Sequence, residues 1–355
     1  MGGEANGSYG PCPLPDMPER EVITLAHGGG GRRMHELVGT LFAPLFWRGG
    51  DRHRKDGAVL DVPGGRLTFT TDAYVVRPLF FPGGDIGMLA VNGTVNDLAV
   101  CGAQPRYLSG AFILEEGVSV ETLRRVAASM AAAAREAGVE MVTGDTKVVE
   151  RGKGDNLYVI TAGVGVIPEG REEPGPEKVE PGDRVIVTGD LGRHGVAVMT
   201  AREGFAFETR ITSDCAPLNG IVEDIYRRGI TVHCMRDLTR GGLASALNEI
   251  ASFAGVRIEL EEERVPVGDE VRGACELLGL DPFYVANEGA MVVILPARWA
   301  EQAVEAIRSH PAGRRARLVG SVAGQVTGGR VVVRSVLGTY RVLDMLSGEQ
   351  LPRIC

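Results

Sequence analysis

The chain has 355 residues, a formal net charge of -8, a hydrophobic fraction of 44% and a charged fraction of 24%. The negative balance disfavours nucleic acid and anionic membranes as partners, because both select basic protein surfaces. The sequence contains no apolar run long enough for a membrane span and no apolar signal core near its amino terminus. We therefore expect a soluble, cytoplasmic α/β protein, and the length predicts two domains.

Residues 1–20 are rich in Gly and Pro and carry few large apolar side chains, which predicts a disordered extension. The N-terminal domain is expected over residues 21–168. Near its start, His27 precedes a run of glycines whose backbone N–H groups can approach a ligand closely: Gly28, Gly29, Gly30 and Gly31. A flexible loop explains this run equally well. The oxyanion loop of an α/β hydrolase does not, since G-x-S-x-G occurs nowhere in the chain.

Acidic and amide side chains interrupt apolar segments at two places in this domain. A predicted strand leads to Asp72, although a carboxylate at such a position is more often a turn or cap residue than a metal ligand. A predicted apolar helix carries Asn92, Asn96 and Asp97 on its polar side, although Asn and Asp lower helix propensity. Some other interaction must therefore compensate for the lowered helix propensity.

A strand over residues 140–143 is predicted to end in a glycine turn, Gly144–Lys147, which presents Asp145 and Lys147 together. This pairing suits a metal–phosphate group, with the carboxylate on Mg²⁺ and the ammonium on an oxyanion. A surface salt bridge in a turn fits these four residues as well. Because the sequence lacks both a Walker A motif and G-x-G-x-x-G, a nucleotide would have to be held by dispersed carboxylates and magnesium.

A polar, Pro- and Gly-rich stretch at residues 169–182 predicts a linker to a second α/β domain over residues 183–340. In that domain Asp237 precedes two glycines at a predicted helix start, a pattern typical of a turn cap or of an anion site. Glu288 directly precedes an apolar strand, which makes it the candidate base of this half.

The six cysteines are scattered, with neither a C-x-x-C pair nor zinc-type spacing. Apolar surroundings predict that Cys101, Cys234 and Cys275 are core residues. Cys355, in contrast, is the last residue of the chain. Residues 341–355 are expected to form a mobile tail that alternates between an inward, reacting position and an outward, exchanging one.

These pieces, in this order, resemble one family: the HypE hydrogenase maturation factors, within the ATP-dependent AIR synthetase (PurM-like) superfamily. The matching motifs are HGGGG at 27–31, TTDAYVV at 70–76, NGTVNDLAVCGAQP at 92–105, GDTKVV at 144–149, DLTRGGLA at 237–244, NEG at 287–289 and PRIC at 352–355. The inner motifs indicate the superfamily, and the terminal PRIC indicates the member. Gly29 is a mild departure, because the family often has Ser or Ala there.

The resemblance implies a PurM-like two-domain α/β fold that dimerises through its N-terminal sheet and binds ATP with Mg²⁺. It implies that the acidic nucleotide–metal positions are Asp72, Asp97, Asp145 and Asp237. To these we add further nucleotide contacts at Gly28, Gly29, Gly30 and Asn96. Family members receive a carbamoyl group on the terminal cysteine from the carbamoyltransferase HypF and dehydrate it to a thiocyanate. The cyano group then passes to the iron of NiFe hydrogenase through the HypC–HypD complex.

With these implications, Cys355 is expected to carry the substrate, Glu288 to take a proton from its nitrogen, and Lys147 to stabilise developing negative charge. Two alternatives stay open. A kinase or selenophosphate synthetase of the same superfamily would have no use for Cys355. A non-enzymatic scaffold would use this thiol only for mixed disulfides with a partner.

Overall fold

The first half of the chain forms a five-stranded mixed sheet in the computed structural model, which describes residues 31–37, 39–40, 58–63, 65–203, 210–346 and 353–355. Its strands are β1 (Ala58–Val62), β2 (Gly65–Tyr74), β5 (Gln104–Glu115), β6 (Glu140–Val149) and β7 (Leu157–Ile167). They lie in the order β1-β2-β7-β5-β6. A small hairpin between β2 and β5 in sequence consists of β3 (Phe80–Phe81) and β4 (Gly84–Asp85). The predicted extension at 1–20 and the glycines at 28–30 lie outside the described residues.

Two helices cover one face of this sheet, after a short α1 (Arg32–Leu37) that precedes it in sequence. Asp85 caps α2 (Ile86–Val100) by accepting hydrogen bonds from two backbone N–H groups of its first turn. α3 (Val120–Ala137) begins after Ser119 and ends at Gly138, which is left-handed with a φ of 70°. Both ends of α3 confirm the sequence prediction. α2 is buried on nearly all sides, so it is a core element between the two halves of the chain.

The predicted glycine turn at residues 144–147 is wrong. β6 continues through these residues to Val149, and Asp145 lies opposite Ala111 of β5 in a parallel register. The glycine meets a different need, because a Cβ atom on Gly144 would lie only 2.3 Å from the carbonyl oxygen of Gly110. Close packing of neighbouring strands therefore explains this glycine.

The second half forms a seven-stranded, mostly antiparallel sheet. Its strands are β8 (Arg184–Val187), β9 (Cys234–Asp237), β10 (Val256–Glu261), β11 (Met291–Leu295), β12 (Arg317–Gln325), β13 (Arg330–Arg334) and β14 (Tyr340–Val342). They lie in the order β14-β13-β10-β12-β8-β11-β9. β9 and β11 run antiparallel with Asp237 opposite Met291, which places the end of β9 beside the start of β11. This pairing brings Asp237 and the NEG motif to one edge of the sheet.

The helices of the second half are α4 (Arg193–Glu203), α5 (Asn219–Arg227), α6 (Gly242–Ala254), α7 (Asp269–Leu278) and α8 (Ala300–Arg308). One core cluster joins α2 and the first sheet to buried residues of α4 and α7, and a second joins the end of α2 to α5 and α8. The two halves thus share apolar cores through α2. Every helix that the structure describes is too short or too polar to span a lipid bilayer.

The tail predicted from residue 341 onward is fixed at its start. β14 extends to Val342, Leu343 is fully buried, and the backbone carbonyl of Leu343 accepts a hydrogen bond from Asn248 of α6 at 2.8 Å. The carbonyl of Leu346 accepts one from the N–H of Arg32 at 3.0 Å. The expectation that mobility begins at residue 341 is therefore wrong, because apolar burial and backbone hydrogen bonds hold residues 341–346.

Candidate functional site

A small cavity lies where the two sheets meet through α2. Its acidic lining comes from Asp72 on β2, Asp97 on α2, Asp237 at the end of β9, and Glu288 before β11. The other polar residues that line it are Tyr74, Thr239, Arg240 and the terminal Cys355. About 40 Å³ of free space remains, which is room for a small group and far less than ligand pockets usually offer a nucleotide.

Threonine hydroxyls of the first sheet and α2 orient the two acidic side chains of this half. Thr70 donates to Asp97 Oδ2 at 2.8 Å, and Thr94 lies 3.3 Å from Asp72 Oδ2. The Thr94 hydroxyl is itself 2.6 Å from that of Thr161 on β7. These contacts fix both carboxylates on the helix-covered face of the sheet, so the TTD and NGTVND motifs form one hydrogen-bonded unit.

The NEG motif holds Glu288 through its two neighbours. Asn287 is fully buried, and its amide binds the backbone N–H of Gly192 and the carbonyl of Leu238. The Asp214 carboxylate accepts hydrogen bonds from the backbone N–H groups of Glu288 and Gly289 at 3.2 and 3.1 Å. Glycine is required at 289, since a Cβ atom there would lie 1.8 Å from the carbonyl oxygen of Asp214. The backbone of Glu288 is therefore locked, and its side chain faces the cavity.

Burial and crowding of like charges govern the electrostatics of the cavity. Burial, together with the charges of Asp237 and Asp214, raises the pKa of Glu288 well above its usual range. Burial also raises the pKa of Asp72, although the nearby Arg240 guanidinium opposes this shift. Glu288 is thus a stronger base than a carboxylate in water, and the cluster of acidic groups attracts positive charge.

Arg240 is a cavity residue that the sequence interpretation missed. It lies in the DLTRGGLA motif, three residues after Asp237, and it lines the cavity beside Cys355. Electrostatic interaction with Cys355, Asp72 and Glu288 raises the pKa of Arg240, so the guanidinium stays charged beside the cavity. The sequence did contain a signal for Arg240, because it belongs to the same motif as the predicted site residue Asp237.

The last three residues of the chain are docked beside the end of β2. The N–H of Val75 donates to the Cys355 carbonyl at 3.0 Å, and the N–H of Arg77 donates to the Arg353 carbonyl at 3.1 Å. These bonds give the terminus the pattern of a short added strand. Ile354 is 5% exposed and packs in the first core cluster, so it is an apolar anchor of the terminus.

A buried histidine on α4 holds the middle of the docked terminus. His194 Nε2 lies 2.6 Å from the carbonyl oxygen of Ile354, and Nδ1 lies 2.9 Å from the Ser213 hydroxyl. Because a carbonyl only accepts, Nε2 carries the proton and Nδ1 accepts from Ser213. Burial lowers the pKa of His194 to about 4, which keeps the ring neutral. This histidine had no distinguishing pattern in the sequence.

Two arginine side chains form further contacts that hold the C-terminus in place. Arg202 of α4 donates to the Arg353 carbonyl at 2.6 Å and to the Arg77 carbonyl at 2.9 Å. The Arg353 guanidinium forms an ion pair with Asp155. Backbone, apolar and charged contacts therefore hold residues 353–355 in a docked position.

The thiol of Cys355 is a poor nucleophile in the docked position. Cys355 is half-buried as a residue, but burial of its sulfur raises the pKa of the thiol to about 12, against the weaker opposing effect of Arg240. A thiol with this pKa is almost entirely protonated at neutral pH, and the thiolate is the nucleophile. The sulfur thus has to leave this position, or lose its neighbouring negative charge, before it reacts as a nucleophile.

Three of the predicted site residues do not reach the cavity within one chain. Asp145 and Lys147 form a salt bridge at 2.9 Å on the opposite, open face of the first sheet, with side chains 65% and 71% exposed. Asn96 is 2% exposed, and both ends of its amide bind backbone atoms, the carbonyl of Ala216 and the N–H of Leu218. Asn96 joins α2 to the segment that carries Asp214, so its buried amide is a structural link between these two parts of the chain.

The cavity residues fit a magnesium ion by charge and ligand type. Four carboxylates face one guanidinium, and hard carboxylate oxygens are the ligands that Mg²⁺ prefers. In the described part of the chain, three candidate ligand atoms come within 4.8 Å of one another only at Glu180, Asp183 and His233. The cavity carboxylates are more widely spaced, which suits a cation that takes its remaining ligands from water and phosphate.

Two family models match the chain. The N-terminal domain of AIR synthase related proteins matches residues 54–167, and the C-terminal domain matches residues 180–333. Both matches agree with the observed PurM-like mixed α/β fold. The thiamine monophosphate kinase of Aquifex aeolicus, 19% identical with a TM-score of 0.59, shares the fold alone.

Relatives of similar length are much closer in sequence. Carbamoyl dehydratase HypE of Rhodobacter capsulatus is 52% identical over 337 residues, which covers 94% of this chain and 98% of that protein. The Escherichia coli K12 protein of the same name is 47% identical over 339 residues, or 94% of this chain and 99% of that protein.

Solved structures agree. HypE in a HypE–HypF complex is 45% identical with a TM-score of 0.82, covering 87% of this chain and 99% of that one. HypE in complex with ATP is 46% identical with a TM-score of 0.79, covering 94% of this chain and 100% of that one. The chain therefore belongs to the HypE family of the AIR synthase related proteins.

Proposed function

We propose that this chain is an ATP-dependent carbamoyl dehydratase that converts an S-carboxamide on its own Cys355 to a thiocyanate. One observation carries the proposal: the terminal sulfur is docked in a cavity that also holds a locked, buried glutamate and three aspartates. The names of the relatives, and the ATP bound to one of them, support the same activity.

The chemistry needs two events, because an amide oxygen is a poor leaving group. First, the carbonyl oxygen attacks the γ-phosphorus of ATP while the nitrogen loses one proton, which gives an imidic phosphate ester and ADP. Second, the C–O bond breaks and the remaining N–H proton leaves, which gives the nitrile and inorganic phosphate. The second proton balances the charge on the departing phosphate.

Each cavity residue has a role in these events. Glu288, in its ionised form, takes the nitrogen proton, because burial and the neighbouring negative charges increase the affinity of this carboxylate for a proton. Arg240 stabilises negative charge that develops beside the tail. Asp72, Asp97 and Asp237 would hold Mg²⁺, which supplies charge neutralisation for the triphosphate when it is bound. Because the cavity has about 40 Å³ of free space, only the terminal phosphoryl end of ATP approaches the tail.

We further propose that the working unit is a homodimer formed through the open face of the first sheet. This face carries apolar side chains without a cover in the described chain, including Phe69 at 44% and Tyr107 at 50% exposure. Asp145 and Lys147 lie at the edge of the same face. Pairing of two such faces would cover the apolar side chains. It would also place Asp145 and Lys147 of one chain against the other chain.

The carbamoyl group is proposed to come from HypF, because a relative forms a complex with HypF. We propose the HypC–HypD complex as the acceptor of the cyano group from the sequence resemblance. The cytoplasm is the proposed location on the composition of the chain.

The mass of the C-terminal peptide tests the dehydratase proposal. The thiol is carbamoylated with cyanate, which adds across the S–H bond, and the protein is then incubated with Mg²⁺ with or without ATP. We expect loss of the mass of one water from the peptide ending in Cys355 only when ATP is present. A peptide that keeps its carbamoyl mass while ATP is consumed would contradict the proposal and favour a kinase.

A further inference from the structure

Asn92 of α2 has one end of its amide buried without a partner. The side chain is 2% exposed, and its Nδ2 lies 3.6 Å from the sulfur of Cys215. Its Oδ1 has no hydrogen-bond partner among the described residues. A buried, unsatisfied polar atom of this kind typically costs about 1–3 kcal/mol. An apolar helix that carries this cost is expected to gain something from it elsewhere.

The position of Asn92 connects it to the reaction site. The next residue, Gly93, lines the cavity that contains Cys355. One helical turn later, Asn96 donates to the carbonyl of Ala216 and lies 3.5 Å from that of Glu288. Cys215, the neighbour of Asn92, follows Asp214 directly, and the Asp214 carboxylate binds the backbone N–H of Glu288. Asn92 therefore packs on the segment that locks the proposed base.

A second buried acceptor lies in the same region. The Oε1 atom of Glu288 has no hydrogen-bond partner among the described residues, and the side chain is 3% exposed. Asn92 Oδ1 and Glu288 Oε1 are thus two buried acceptors without a hydrogen-bond donor among the described residues. A primary amide supplies two N–H donors on one nitrogen, whereas a hydroxyl or the monoanion of a phosphate monoester supplies one.

We propose that Asn92 Oδ1 and Glu288 Oε1 receive the two N–H groups of the carbamoyl group carried by Cys355. This assignment rests on the proposed dehydratase function and adds a specificity contact to it. It turns the carbamoyl nitrogen toward α2 and the base, and leaves the carbonyl oxygen facing the aspartates and the phosphate donor. A site with two acceptors for one nitrogen selects a primary carboxamide over a carboxylate, because an ionised carboxylate offers no donor.

Two substitutions separate this role from a structural one. Asn92→Leu removes the acceptor and keeps the size, whereas Asn92→Asp keeps an acceptor oxygen and the shape. Thr68→Val is the matched control, since Thr68 Oγ1 is also buried without a partner among the described residues, but Thr68 lies on β2 and not on the helix that contacts the Asp214–Cys215 segment. All chains are carbamoylated with cyanate, and single-turnover water loss is followed by the mass of the C-terminal peptide.

We expect Asn92→Leu to lose water roughly tenfold to a hundredfold more slowly, in line with one buried hydrogen bond. Its urea midpoint should equal or exceed the wild-type value, because an unsatisfied group has been removed. Asn92→Asp should recover most of the rate, and Thr68→Val should match the wild-type rate. A wild-type rate in Asn92→Leu would overturn the proposal, as would an equal loss of rate and stability.

A readout without ATP keeps this proposal separate from the dehydratase proposal. Carbamoylation should raise the urea midpoint of the wild-type chain, because two unsatisfied acceptors gain donors, and should raise that of Asn92→Leu less. An equal rise in both chains would overturn the Asn92 contact even if dehydration occurs. A larger rise in the wild-type chain supports the contact even if ATP drives no water loss, an outcome that would sink the dehydratase proposal alone.

Discussion

The two faces of the first sheet carry the same kinds of residue and put them to different uses. On the helix-covered face, Asp72 is half-buried, its Oδ2 lies 3.3 Å from the Thr94 hydroxyl, and its pKa is raised. On the open face, Asp145 is exposed, paired with Lys147, and its pKa is lowered by that hydrogen bond. Two strands of one sheet, β2 and β6, thus present one carboxylate to the docked tail and the other to solvent.

The difference shows that an acidic sequence motif alone does not predict on which face of a sheet its carboxylate lies. Alternation along a strand sends successive side chains to opposite faces, so a shift of one residue exchanges a cavity for a surface. Asp72 shares its face with Thr70 and Tyr74, whereas Asp145 shares its face with Ala111. If both carboxylates serve one reaction, a second chain has to bring them together.

The largest expected effect comes from mixing two inactive chains. Glu288→Gln on the covered side should slow water loss by about 10²–10⁴. Lys147→Ala on the open face should also be impaired. A mixed dimer of these two chains has one site with Lys147 from one chain and Glu288 and Cys355 from the other, so activity should return.

The control for this complementation uses two changes on the same side. A mixture of Glu288→Gln with Cys355→Ser should stay inactive, because both residues line one cavity of one chain. If the Lys147→Ala and Glu288→Gln mixture also stays inactive, Lys147 does not act across an interface, and the two faces serve separate purposes.

A charge placed on the open face should break the dimer. In Phe69→Glu, a carboxylate replaces a ring that is 44% exposed. In a two-fold symmetric dimer both subunits carry this substitution, so the interface contains two added carboxylates. Loss of this burial should raise the dissociation constant of the dimer by about 10² or more, measured by sedimentation. Tyr340→Glu, at a residue 54% exposed on β14, is the control and should leave self-association unchanged. Phe69→Glu that sediments as the wild type would exclude this face as the interface.

The smallest effect concerns pH on the covered side. His194 has a pKa of about 4 in the folded chain and 6.5 as its ordinary value. Between these values the unfolded chain binds a proton that the folded chain does not, so stability falls as pH drops through this window. At pH 5 this costs about 2 kcal/mol relative to pH 7. His194→Gln should lose less stability over the same range in urea titrations, and equal losses would contradict the role of the buried ring.

Much of the fold followed from the sequence, because caps and periodicity are local. Ser119 and Gly138 bound α3 as predicted, and Cys101, Cys234 and Cys275 are buried. The turn at Gly144 was predicted wrongly because a glycine that permits close strand packing looks, in sequence, like one that permits a turn. The distinction depends on Gly110, a residue more than thirty positions away in sequence.

Only the site residues that belong to sequence motifs could be predicted from the sequence. Asp72, Asp97, Asp237, Glu288 and Cys355 do meet in one cavity. The residues that hold the tail have no motif of their own, because His194, Arg202 and Asp155 act through backbone carbonyls or one ion pair. Such contacts depend on tertiary placement, which no local pattern records.

The docked terminus also has a consequence for oxidative chemistry. Peroxides oxidise thiolates, and sulfinic and sulfonic acids cannot be restored by ordinary thiols. The docked Cys355 thiol has a pKa of about 12 and only about 40 Å³ of free space beside it. The docked position thus keeps the sulfur in a poorly oxidisable form, and any movement of the tail out of the cavity would expose the sulfur to oxidation.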